Sequence, residues 1–147
     1  MKPNETYLEK LLFKSIVMDF AFLPMVNVKF KPEIFADKSF EEVSRFYQKF
    51  YNEKGRVPTL QDVKLLANTD GLAQHVREAF GNIKGVDHKE MPKEELYNYF
   101  ENYIKKRLAL ITFKDIFSNY DPNGDLDSDM LVEKFTNMSL SKSPVGS

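Results

Sequence analysis

The run Asp121-Pro122-Asn123-Gly124-Asp125-Leu126-Asp127-Ser128-Asp129 is the chain's densest set of oxygen donors. Carboxylate and amide oxygens at alternate positions are what a calcium ion takes from a loop. The detail departs from that chemistry. Glycine stands fourth, where a calcium loop needs it sixth, and Leu126 takes the sixth place. Val132 occupies the twelfth, where a bidentate glutamate belongs. The run reads better as a polar turn whose acids complement the start of the next helix. His75 and His88 are the only histidines, and neither has a partner at metal-ligand or triad spacing. Both read as solvent-exposed. The carboxylate pairs Glu41-Glu42 and Glu94-Glu95 fall in first helical turns, where acids favour the dipole without any catalytic task. No Gly-x-x-x-x-Gly-Lys-Ser/Thr loop is present to cradle a phosphate. Lys105-Lys106-Arg107 is the one basic run. Three consecutive residues span about 300° of a helix, so they make no single basic face. A solvated, salt-bridging role fits them better than contact with DNA or an acidic surface. These residues assign no catalytic, cofactor or metal site.

The elements that would carry a function are helical. The chain has 147 residues, enough for one domain with a real core. It holds 13 Phe and 7 Tyr but no Trp and no Cys, so the core should be rich in aromatic rings. Without cysteine there is no disulfide, thiolate zinc site or thiol chemistry, which fits a reducing cytoplasm. With 21 basic and 22 acidic residues the charge is near zero, which disfavours tight DNA binding by this chain alone. No apolar run approaches the roughly 18 residues of a membrane span. Glu9, Lys10, Lys14 and Asp19 interrupt the first apolar stretch, so it is no secretory signal.

Helix one is expected to start at Thr6, with Glu9 completing a capping box, and to run to about Phe22, where Pro24 stops it. Leu8, Leu11, Leu12, Ile16, Phe20 and Leu23 share its apolar spacing. An irregular link over 26–30 follows. The stretch 30–66 then reads as a proline-led turn, an aromatic helix and a capped helix. Pro32 suits a first turn, where no amide donor is needed. Ser39 and Glu42 form a second expected capping box. Phe40, Val43, Phe46, Tyr47, Phe50 and Tyr51 recur at three- and four-residue steps. Gly55 can take the left-handed conformation that ends a helix. Pro58 cannot continue it, and Thr59 caps a new helix with Asp62 at its third position. A shorter helix is expected over 71–80 and the longest over 92–120. A last one covers about 128–138. No stretch alternates as a strand does, so essentially no sheet is expected.

The order of these parts resembles the N-terminal domain of DnaB-type replicative DNA helicases, the bacteriophage branch most closely. The resemblance is carried by the Pro32-Glu33-Ile34-Phe35 turn, the aromatic helix ending in Tyr51-x-x-x-Gly55, then Val57-Pro58-Thr59 and its Leu-containing helix. Upstream, LEKLLFKSIVMDFAFLPMV is similar to the family's first helix and loop. Downstream, YFENYIKKRLALITFKDI is similar to its long helix, and LVEKFTNMSLSKS to its last helix and linker. The resemblance implies a non-catalytic domain that pairs with itself to build a hexameric collar. It also implies docking of primase or a helicase loader. ATP and magnesium would belong to a motor domain absent from this chain, and no cofactor is expected here.

The expected architecture is all-α: a globular helical bundle over 1–91, an antiparallel helical hairpin over 92–138, and the start of a linker over 139–147. The hairpin is apolar on more than one side. One stripe of its long helix carries Leu96, Phe100, Tyr103, Leu110 and Phe117, and Tyr97, Ile104, Leu108, Ile111 and Phe113 broaden it. A two-helix hairpin cannot bury two faces internally. Either one face packs on the body and the other stays half-covered, or the hairpin packs on another subunit's. The residues expected at an oligomer interface are Leu110, Phe113, Phe117, Leu131, Val132 and Phe135. A stand-alone adaptor or helicase loader, complete at this length, is the alternative. An enzyme is a distant third.

Overall fold

A computed structural model describes residues 4–69, 71–87 and 91–118. Among them the protein is all-helical, as the sequence predicts. α1 spans Glu5–Met18, α2 Phe22–Val26, α3 Lys38–Lys54, α4 Leu60–Ala67, α5 Ala73–Asn82 and α6 Lys93–Ser118. A 3-10 turn over Pro32–Ile34 precedes α3. The hairpin's second helix and the Asp-rich run lie outside the described residues.

Three of the expected local devices form as read. Pro32 opens the 3-10 turn. Gly55 adopts φ 74° and its N–H donates to the Tyr51 carbonyl at 2.8 Å, closing α3. Thr59 and Asp62 form a reciprocal capping box at the start of α4. Three others differ, and each has a physical cause. Asn4, not Thr6, caps α1, its Oδ1 accepting from the Thr6 N–H at 2.8 Å. Glu9 is instead drawn into the protein, where its Oε1 accepts the Asp37 N–H at 2.9 Å. Asp37, not Ser39, caps α3, with its Oδ1 2.8 Å from the Ser39 nitrogen. A carboxylate is the stronger acceptor at a helix start. Glu42 pairs with Lys38 at 3.0 Å. Pro24 does not end helix one, because α1 stops at Met18 and Pro24 sits inside α2. It falls in that helix's first turn, where proline needs no donor. The break lets Phe22 and Leu23 turn inward to full burial, while Phe20, past the end of α1, is exposed.

The core is aromatic, as the composition implies. Phe13 of α1 stacks on Phe40 of α3 with centroids 4.4 Å apart. Its ring also meets the edges of Phe35 at 6.1 Å and Phe80 at 6.2 Å. Phe22 of α2 packs on Phe100 of α6 at 5.6 Å. Leu96, Phe100, Tyr103 and Ile104 of α6 belong to the same cluster as α1 and α3, so the core runs across residue 91. No helix among the described residues is long and apolar enough to cross a membrane.

The α4 cap gives a pH prediction. The Arg56 guanidinium, 2.7 Å from Asp62, holds that carboxyl well below the usual carboxylate range, and the Thr59 N–H adds to the effect. A depressed folded-state pKa contributes stability that is fully present above the unfolded value and lost as pH falls through the folded one. The stability gap between the protein and its Asp62→Asn variant should therefore be full at pH 7. It should shrink steadily below pH of about 4. Urea unfolding at pH 7 and pH 3 checks this, and an equal gap at both would overturn it.

Candidate functional site

α6 is longer than α1, the helix that runs alongside it. Its 26 residues extend about 39 Å, whereas the 14 of α1 extend about 21 Å. The two run antiparallel, since Lys93 pairs with Asp19 at one end and Lys106 with Glu5 at the other. α1 therefore supports only the N-terminal part of α6, and the buried residues of α6 end at Ile104. Beyond that point Leu108 and Ile111 are half-buried. Leu110 is 41% exposed, Phe113 42% and Phe117 72%. Steps of three and four residues place these three on one face of the helix. The structure thus brings together the three predicted interface residues that it describes. Leu131, Val132 and Phe135 lie outside the described residues.

The basic run follows the last fully buried residue of α6, Ile104. Lys105 bonds Glu101 at 2.9 Å, one turn back. Lys106 reaches Glu5 at the start of α1, and this bond draws the Glu5 carboxyl below its usual range. Arg107 donates from Nε to the Ile34 carbonyl at 2.7 Å. Lys105 and Lys106 therefore take the salt-bridging role read from the sequence, whereas Arg107 bonds a backbone carbonyl. Two of the three tie α6 to residues 73 and 101 positions away, in the 3-10 turn and α1.

The remaining chemical candidates separate in space. His75 is half-buried on α5, not exposed, and its Nδ1 is buried without a hydrogen-bond partner. α5 packs against α3, whose Glu42 lies near the ring. His88 lies outside the described residues. Glu41 accepts from Arg45 at 2.8 Å, and Glu42 belongs to Lys38. Glu94 and Glu95 are exposed in the first turn of α6. No cluster of three metal-capable side chains forms among the described residues.

Sequence reasoning missed two arrangements. Glu9 packs against the Asp37 turn, and its burial raises its carboxyl above the usual range. Asp19, Lys93 and Tyr97 converge where α1 ends and α6 begins. Both join residues far apart in the chain, so no local spacing marks them. No family model, no curated protein and no solved structure matches this chain.

Proposed function

We propose that this chain is a non-catalytic assembly and docking domain, of the kind that forms the collar of DnaB-like replicative helicases in the cytoplasm. It would pair with itself into a hexameric ring and receive primase or a helicase loader there. ATP hydrolysis would reside in a separate motor domain, and DNA contact would be weak or indirect. The observation that carries this reading is the exposed stripe of Leu110, Phe113 and Phe117 on the part of α6 beyond Ile104, its last fully buried residue. Large apolar side chains at that spacing suit a helix that packs against a second helix. The order of the proline-led turn, the aromatic helix and the capped Leu-containing helix supports the same reading. The pairing of Lys105 and Lys106 with carboxylates fits a domain that does not grip DNA by itself.

Light scattering coupled to size exclusion, over a concentration series, tests the proposal. The protein is expected to form dimers or larger assemblies as concentration rises. The double variant Leu110→Glu, Phe117→Glu should dissociate at least about tenfold more readily, because each side chain contributes roughly 1.5–3 kcal/mol when buried. Its melting temperature should stay near that of the parent at low concentration, since both residues are exposed. A strict monomer at every concentration, or assembly indifferent to the variant, removes self-association from the proposal.

A further inference from the structure

The other end of α6 carries a second surface. The C-terminus of α1 and the N-terminus of α6 enclose a cleft of about 380 Å³. Met18, Met91 and Tyr97 make its apolar wall, and Lys14, Asp19 and Lys93 its charged rim. Asp19 is fully engaged: its Oδ2 lies 3.5 Å from the Lys93 ammonium and accepts from the Tyr97 hydroxyl at 3.2 Å. Lys93 also lies over the Tyr97 ring, 5.5 Å from its centroid. Lys14 is held differently, because its ammonium donates to the Val86 carbonyl. A carbonyl takes the hydrogen bond but leaves the charge, so the described residues of the rim carry one net positive charge. Of the lining residues, Met18 is 47% exposed.

We infer that this cleft docks an acidic peptide segment of a partner protein, with one aliphatic or aromatic side chain entering between Met18, Met91 and Tyr97 and an adjacent carboxylate meeting Lys14. The size decides between peptide modes. Pockets of this volume stand at the lower end of the roughly 300–1,000 Å³ range that takes small groups. A helix laid in a groove needs a row of anchors over two turns, whereas the cleft is lined by fewer than two turns of either helix, residues 14–19 and 93–97. Methionines adapt their shape to such an anchor, and the thioether suits an aromatic ring. The charge decides the flanks, since a basic segment would meet Lys14 and Lys93 with Asp19 already neutralised. The surface is independent of the assembly stripe, because Tyr97 and Phe113 stand roughly 24 Å apart along α6.

The test uses the whole chain and three fluorescein-labelled octapeptide pools, read by anisotropy. The first has a central Leu or Phe flanked by Asp and Glu. The second has the same centre flanked by Lys and Arg. The third keeps the acidic flanks and replaces the centre by Ser. Only the first should bind. Lys14→Gln, which retains a donor for the Val86 carbonyl, should weaken it by about tenfold, and so should Met18→Glu at the exposed mouth. The Leu110→Glu, Phe117→Glu variant should bind as the parent does, which separates this surface from the assembly one. Unchanged thermal melts would show that the variants are folded. Equal binding of the first two pools, or indifference to both cleft variants, overturns the inference. So does displacement of the first pool by a single-stranded oligonucleotide that Lys14→Gln also weakens, because the cation would then serve a phosphate.

Discussion

Replacing Phe13 by alanine is expected to lower the unfolding free energy by about 3–5 kcal/mol. The ring is fully buried and touches three elements at once. It stacks on Phe40 of α3, meets Phe35 beyond the 3-10 turn and reaches Phe80 of α5. Alanine would leave a void that four packed segments must either tolerate or close, and interiors packed this densely relax only in part. Domains of this size are stable by about 5–15 kcal/mol, so the loss is about a fifth of the whole at the least. Urea unfolding followed by circular dichroism measures it. Leu65→Ala on α4 is the control, because that side chain is 66% exposed and its loss should stay within about 0.5 kcal/mol. Equal effects from the two substitutions would mean that the aromatic cluster does not hold the fold.

A chain ending at residue 91 is expected not to fold. The sequence places a boundary there, between a globular bundle and a hairpin, yet the packing does not stop at that point. Leu96, Phe100, Tyr103 and Ile104 lie in one cluster with α1, α2 and α3. Four large side chains at about 1.5–3 kcal/mol each contribute on the order of 6–12 kcal/mol, comparable to the entire stability of a domain. Truncation also removes the Tyr97 bond to Asp19 and the Arg107 bond to Ile34. The 1–91 chain should lack a cooperative melt and show poor amide dispersion by NMR. Adding a synthetic peptide of residues 92–118 should restore both. A cooperative melt of 1–91 alone, near that of the full chain, would make residue 91 a true domain boundary.

The apolar stripe near the end of α6 is partly legible in the sequence. Leu110, Phe113 and Phe117 follow from helical spacing and apolar excess. Their exposure does not. Leu110 and Phe117 lie on the same sequence stripe as Leu96, Phe100 and Tyr103, and nothing local distinguishes the two groups. The difference is that α1 runs out alongside α6, so the stripe is core at one end and surface at the other. The cleft between α1 and α6 is not legible there at all. Its walls come from residues 14–19 and 91–97, which only the antiparallel packing of α1 on α6 brings together.

By itself the sequence determined what can be settled within about one helical turn. It determined the helical class, the left-handed stop at Gly55, the Thr59–Asp62 box and the proline-led turn, because those depend on φ preferences and hydrogen bonds between near neighbours. It also determined that the core would be aromatic. Tertiary structure decided wherever two partners competed for one group. Glu9 could have closed a box at the start of α1, but its helix face is turned inward and its carboxylate holds the Asp37 turn. Pro24 could have ended a helix, but burying Phe22 and Leu23 broke the chain earlier and left the proline in a first turn. Local chemistry proposes such partners, and the burial of side chains distant in sequence selects among them.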